Sequence, residues 1–188
     1  SLRWYRDTFG GDYRSIDEAA AKIPVGSEGL VFHPYINGEL TPYADPKLCG
    51  SFIGVRANHT KAHFDRAVLE GVAMSMLDCK KALEAIGIEH SDKATIIGGG
   101  ASSPLWRQIV ADALGFTLVQ NRDSDSSFGT AMLAGVAAGV FSDFESALDK
   151  CTEVKSFTEP NPENAPKYEK LFARYKAVHD ALAPIYDA

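Results

Sequence analysis

Short β-branched runs alternate with longer helical patterns along this chain, and that alternation predicts a single α/β lobe with strands flanked by helices. Three observations carry the prediction. The runs "LVFHPY", "ATII" and "FTLVQ" have strand length and composition. Between residues 60 and 86 the apolar positions Phe64, Val68, Val72, Met76, Cys79, Leu83 and Ile86 are spaced by four and three, which is one face of a long helix. The chain has 188 residues, 45% of them hydrophobic, enough for one core.

The elements follow in order. "WYRDTF" carries aromatics at helical spacing, a core signature. Residues 15–23, "SIDEAAAKI", read as a short helix with Ser15 as the cap and Glu18 reaching back to it. "LVFHPY" is a strand stopped by Pro34, and a long turn-rich segment follows up to residue 55. The long helix starts at a cap on Thr60 or Asn58 and stops at Gly87, suited to a left-handed terminus. "ATII" is a strand, and a glycine loop follows it. Ser103 then caps a helix with Pro104 at its first position. Leu105, Ile109, Val110, Ala113 and Leu114 form its buried face, and Gly115 ends it. After "FTLVQ" comes a small-residue helix around Gly129, Ala131, Ala134, Gly135 and Ala138. Ser142 with Glu145 marks a further capped start. An amphipathic helix with Tyr168, Leu171, Phe172, Tyr175, Val178 and Leu182 on one side closes the chain.

Composition removes several classes of function. Twenty-five acidic residues face 19 basic ones, for a net charge of −6 and a pI near 5.3. No run of Lys or Arg is interleaved with aromatics. That speaks against a nucleic-acid groove and against an anionic membrane surface. No apolar run has the length of a membrane span, and the first residues do not have the pattern of a signal peptide. The sequence begins without Met and in helical pattern, so it reads as a segment of something longer. Cys49, Cys79 and Cys151 are scattered, and the expectation is free thiols in a reducing cytoplasm. His59 and His63 are four apart but lack the H-E-x-x-H carboxylate, and are expected at the surface near a helix start.

The stretch with most chemistry is "GGGASSPLWRQIVADALG", residues 98–115. It is neither a P-loop, since no Lys-Ser or Lys-Thr follows, nor G-x-G-x-x-G. Backbone N–H groups of Gly99, Gly100 and Ala101 beside a helix N-terminus can hold a phosphate, or accept a flat base against bare Cα atoms. A β-carbon on Gly100 is expected to obstruct that approach. The bland alternative, a tight turn that binds nothing, weighs about equally on this loop alone. Carboxylates suited by type to phosphoryl-transfer chemistry are Asp123, Asp125 and Glu70. Asp123 and Asp125 read first as a solvated turn. Glu70 reads either as a buried, satisfied group or as one that supports a site. No Ser-His-Asp or Cys-His grouping can be assembled from the sequence.

At this point a resemblance enters. "GSFIGVRANHTKAHFDRAVLE", residues 50–70, is similar to the C-terminal signature of the FGGY carbohydrate kinases at Gly50, Phe52, Gly54, Val55, His63, Phe64, Ala67, Val68, Leu69 and Glu70. "GGGASSPLWRQ" resembles the family's nucleotide loop, in its xylulokinase branch. "FGTAMLAGVAAG" and the late helix resemble further family segments, so the likeness spans nearly the whole chain. Leu40 in "GELTP" stands where the family usually has Arg, and Thr130 where it commonly has Ala.

The resemblance implies a fold and a role. The fold is a ribonuclease-H-like lobe of the actin and hexokinase kind, with residues 1–188 as the C-terminal nucleotide-binding domain. ATP and Mg²⁺ are the implied cofactors, and a sugar, most simply D-xylulose, is the implied acceptor. Gly99, Gly100, Ala101, Ser102 and Ser103 would meet the nucleotide, with Gly54, Arg56 and Asn58 as a second contact. The catalytic Asp and most of the sugar pocket belong to an N-terminal lobe outside this sequence. The implied partners are that lobe and a second copy in a homodimer, and the implied location is the cytoplasm. The rival readings are a kinase for ribulose, fuculose or glycerol, and a non-catalytic actin-like nucleotide-binding module.

Overall fold

A computed structural model describes residues 1–122 and 125–186. Two helices open the chain, α1 (Leu2–Phe9) and α2 (Tyr13–Ala20). Asp12, not Ser15, caps α2: its carboxylate accepts the Ser15 N–H at 2.9 Å, and the Ser15 hydroxyl accepts the Asp12 N–H at 3.0 Å. The capping box is therefore real but lies three residues earlier than the Ser15–Glu18 pattern predicts.

Strands β1 (Val31–His33) and β2 (Ser51–Ile53) pair antiparallel, with Phe32 opposite Phe52. Helix α3 (Lys61–Ala85) follows and is the axis of the lobe. His63 is buried, contrary to the surface expectation, because its Nδ1 accepts the Thr60 N–H at 3.1 Å and so closes the helix start. Gly87 takes φ +80° just past the helix end, as expected.

The buried surface of α3 also differs from the single face read in sequence. Met76, Leu83 and Ile86 are exposed, whereas Ala67, Val68, Leu69, Ala73, Met74 and Leu77 are buried. The first half of α3 is packed on several sides, and small residues admit its neighbours. Gly71 is the closest of these contacts: a β-carbon there would lie 2.3 Å from the Phe32 carbonyl oxygen. Backbone of β1 rests directly on α3.

The second half of the chain builds a three-stranded sheet. β3 (Lys93–Thr95) runs parallel to β4 (Thr117–Asn121), which pairs antiparallel with β5 (Val154–Thr158). Helix α4 (Pro104–Leu114) makes the crossover between the parallel strands. Its Ile109, Val110 and Ala111 join Leu118 of β4 and Leu77 of α3 in the main core. Helices α5 (Ser126–Ala137) and α6 (Phe144–Cys151) link β4 to β5. Asp143, not Ser142, caps α6, accepting the Ser146 N–H at 2.7 Å.

The chain ends in α7 (Ala165–Tyr186), which buries Tyr168, Leu171, Tyr175 and His179. Asp112 of α4 fixes its approach by accepting Asn161 N–H at 2.7 Å and Asn164 Nδ2 at 2.8 Å. His33 of β1 meets the Tyr175 carbonyl at 3.0 Å, and the Tyr175 hydroxyl donates to Tyr35 at 2.6 Å.

Gly71→Ala is expected to cost about 3 kcal/mol or more, because the clash is with backbone and no rotamer relieves it; urea unfolding at neutral pH measures it. A second outcome concerns acid. Burial pushes the His33 imidazole down to about 4. The unfolded chain binds that proton near pH 6.5. Between these values the unfolded state holds more protons, so stability falls as pH falls. His33→Gln removes this component, and its difference from the native chain is expected to shrink by about 1 kcal/mol between roughly pH 7.5 and 5.5.

Candidate functional site

The glycine loop is a single 3₁₀ turn, Gly99–Ser102, between β3 and α4. Gly98 enters it at φ +81°, a conformation that favours glycine. The Ala101 N–H closes on the Gly98 carbonyl at 3.1 Å and the Ser103 N–H on the Gly100 carbonyl at 3.0 Å. Among the described residues the N–H groups of Gly99 and Gly100 meet no acceptor. The Ser103 hydroxyl accepts the Trp106 N–H at 3.0 Å, the cap read from sequence. Ser102 donates its hydroxyl to the Gly99 carbonyl at 2.7 Å.

Two side chains fix the turn from beneath. Arg107 Nη1 reaches the Ala101 carbonyl at 2.6 Å, and Gln120 Nε2 of β4 reaches the same oxygen at 3.1 Å. Ala101 is itself buried. Its N–H and C=O are both used inside the protein, so the surface of the turn belongs to Gly99, Gly100, Ser102 and Ser103.

Those four residues line a cleft of about 1020 Å³. Val68, Leu69 and Val72 of α3 are part of its apolar lining. Arg3 of α1 and Arg14, Asp17 and Glu18 of α2 also line it, as does Glu39. Glu39 is held by the Leu40 N–H at 3.0 Å and the Ser75 hydroxyl at 3.1 Å. Arg14 and Glu18 pair at 2.7 Å in the open. An apolar cavity with a few polar groups and unpaired backbone donors is the usual form of a small-molecule site. Sequence reasoning missed Arg3, Arg14, Asp17, Glu18 and Glu39. No periodicity connects them to residues a hundred positions away.

Trp106 sets the requirement at Gly100. A β-carbon on Gly100 would lie 3.0 Å from its indole Cδ1, whereas one on Gly99 meets nothing within 4 Å. The need for glycine at 100 thus comes from the protein itself, and open approach from the cleft falls at Gly99.

Gly54, Arg56 and Asn58 do not line this cleft. Gly54 takes φ +88° with the Gly29 carbonyl and the Arg174 guanidinium where a β-carbon would go. Asn58 Nδ2 donates to Glu28 at 2.8 Å, and the Arg56 N–H donates to His59 Nδ1 at 3.2 Å. Asp125 caps α5, accepting the Phe128 N–H at 2.9 Å. The Ser127 hydroxyl and that N–H hold its carboxyl below the usual range. Asp123 lies outside the described residues.

Glu70 is the buried, satisfied group. It accepts from Arg66 Nε at 2.7 Å, the Gly26 N–H at 3.0 Å and the Ser27 hydroxyl at 3.0 Å. Burial pushes its carboxyl up, and the Arg66 guanidinium and these donors oppose that rise. Among the described residues no three His, Cys, Asp or Glu side chains are grouped to hold a metal ion. A nucleotide phosphate fits the Gly99–Gly100 donors, and no Mg²⁺ ligand is assigned among the described residues. No described helix is long and apolar enough to cross a membrane.

Residues 3–138 match the FGGY family of carbohydrate kinases, C-terminal domain. The xylulose kinase of Staphylococcus epidermidis is 38% identical over 182 residues, covering 95% of this chain and 36% of that protein. The gluconokinase of Bacillus licheniformis is 31% identical over 198 residues, covering 98% of this chain and 38% of that protein. The crystal structure of ligand-bound xylulose kinase from Lactobacillus acidophilus superposes with a TM-score of 0.89 at 28% identity, over 98% of this chain and 38% of that one. The lobe has the ribonuclease-H-like fold, mixed sheet and helices, of these kinases. The chain spans little more than a third of the length of the curated relatives it matches.

The turn gives a contrast between adjacent residues. Gly100→Ala is expected to displace the Trp106 indole, shifting tryptophan emission and lowering stability by about 1 kcal/mol. Gly99→Ala is expected to leave both unchanged. Emission spectra and urea unfolding of the two variants check this.

Proposed function

The chain belongs to the FGGY family of carbohydrate kinases, and we propose that it is the nucleotide-binding lobe of an ATP-dependent sugar kinase with D-xylulose as acceptor. The observation that carries the proposal is the turn at Gly99 and Gly100, which lines the cleft and whose two N–H groups meet no acceptor among the described residues. Backbone donors next to a capped helix N-terminus suit a phosphate or a ribose-phosphate edge. The bare Cα of Gly99 leaves room for a flat base. On the opposite lining Arg14 is paired with Glu18, and Arg3, Asp17 and Glu39 add charge of both signs.

The proposed reaction passes the γ-phosphoryl group of MgATP to a sugar hydroxyl. This lobe holds the nucleotide still and supplies one wall of a cleft that closes. Positioning and exclusion of water are its contribution. The proton of the acceptor hydroxyl goes to a carboxylate of the other lobe. The cation is carried by the phosphates and has no ligand assigned in this chain. Ser102 and Ser103 border the site, and Ala101 shapes it from below. Gly54, Arg56 and Asn58 support the fold at the β2–α3 turn and are not needed for this contact.

Gluconate is the second acceptor reading, favoured by the gluconokinase match over nearly the whole chain. A coupled ADP-release assay on the complete gene product with D-xylulose, D-gluconate, D-ribulose and glycerol separates them. D-Xylulose is expected to give the highest kcat/KM, and turnover with none of the four overturns the kinase reading. Gly99→Val in the same protein is expected to raise the KM for ATP at least about tenfold, with the sugar KM within about twofold. Unchanged ATP kinetics would remove the turn from the site.

A further inference from the structure

We propose that Glu39, with Ser75 beside it, selects the ribose of the bound nucleotide by accepting hydrogen bonds from its 2′ and 3′ hydroxyls. This rests on reading the cleft as a nucleotide site.

Glu39 is held differently from the other charged groups around the cleft. Arg14 and Glu18 hold each other, with side chains 88% and 61% exposed. Glu39 is held by the fold. One carboxylate oxygen takes the Leu40 N–H at 3.0 Å and the Thr41 N–H at 3.4 Å, and the other takes the Ser75 hydroxyl at 3.1 Å. Its backbone is fixed as well. The Glu39 N–H meets the Asp45 carbonyl at 2.9 Å, and the Asp45 N–H returns to the Glu39 carbonyl at 2.8 Å. Within the loop closed in this way, Tyr43 donates its hydroxyl to Asp78 of α3 and stacks on His179 of α7 at 3.8 Å between ring centroids.

The cleft lining gives this acceptor its setting. Val68, Val72 and Ser75 all line the cleft and are spaced by four and three along α3. They share one side of the helix over about 10 Å of rise. An apolar strip on which a flat base can lie therefore ends at a hydroxyl bonded to a carboxylate.

Chemistry selects what meets that end. A carboxylate repels phosphate, so the phosphates of a nucleotide belong at the Gly99 and Gly100 N–H groups of the same cleft. Glu39 is left for a part of the ligand that donates. A carboxylate has about four lone-pair positions, and three protein donors leave one open. The Ser75 oxygen, having donated its proton to Glu39, keeps lone pairs of its own. Two acceptors 3.1 Å apart match the adjacent hydroxyls of a ribose, whereas adenine offers a single amino group. A fixed carboxylate that takes a ribose hydroxyl is also a recurrent device of nucleotide sites.

The test measures binding, without sugar, to the complete protein translated from its gene. Titration calorimetry gives the Kd for ATP, 2′-deoxy-ATP, 3′-deoxy-ATP and inosine triphosphate. The parent is expected to bind ATP about tenfold more tightly than either deoxy analogue. In Glu39→Ala that preference is expected to fall within about twofold, with the Kd of the deoxy analogues moving less than about threefold. Glu39→Gln keeps one oxygen for the Leu40 N–H and is expected to retain a preference of about threefold, so it carries the test where the alanine variant fails to fold. A parent that binds ATP and the deoxy analogues equally overturns the proposal. So do variants that weaken all four ligands alike, which would make Glu39 a structural residue. A change confined to the preference for ATP over inosine triphosphate also overturns it, and assigns Glu39 to the base. A parent that binds no ATP overturns the nucleotide reading itself, and this proposal with it. Binding of ATP without phosphoryl transfer counts against the kinase reading alone.

Discussion

A carboxylate in the middle of this lobe joins three segments far apart in sequence. Glu70 of α3 takes the Gly26 N–H and the Ser27 hydroxyl, and shares Arg66 with the Tyr168 hydroxyl of α7. The segment it holds is unusual. Gly26, Ser27, Glu28 and Gly29 all have positive φ, and two of them are not glycine. Such a run is strained and persists only where surrounding structure imposes it. By imposing it, Glu70 sets where β1 begins, and β1 lies on Gly71, the next residue of α3. A group that looks by type like a catalytic acid is spent on architecture. Its burial opposes the charged form, and the donors around it are what make the charge tolerable.

The cleft depends on that architecture at one remove. α3 provides part of its lining, α2 packs along α3, and α4 brings the glycine turn to the same space. The turn does not need a ligand to set its shape. Arg107, Gln120, Trp106 and the Ser103 cap hold it from the protein side. What they leave over is two N–H groups and one glycine without a neighbour. Preorganisation of this kind lowers the ordering cost of binding, because the turn is already held in one shape.

Local signals in the sequence were legible and tertiary ones were not. Ser103, Pro104, Gly87 and Gly115 mark helix ends by chemistry that acts within a turn of the backbone. Caps at Asp12 and Asp143 were displaced to neighbouring serines because several residues there can accept the same N–H. The buried surface of α3 departs from a single stripe since neighbours pack on several sides of its first half and leave its second half largely open. β5 escaped notice as five residues of weak alternation, "VKSFT". The glycine turn could be found because glycines announce it. Arg3, Arg14 and Glu39 could not, because only the fold brings residues 1–39 to face residues 99–106.

The same reasoning explains why one scaffold accommodates kinases named for different acceptors. A xylulose kinase and a gluconokinase each match this chain over nearly all its length. The parts fixed most firmly here, the Glu70 network and the glycine turn, make demands that no acceptor hydroxyl enters. On the proposed reading, a nucleotide phosphate presents the same oxygens whichever sugar is beside it, and main-chain donors at the turn have no side chain to adapt. Side chains that touch an acceptor directly are the ones by which acceptors can be told apart, and main-chain donors in a turn are poorly suited to that task.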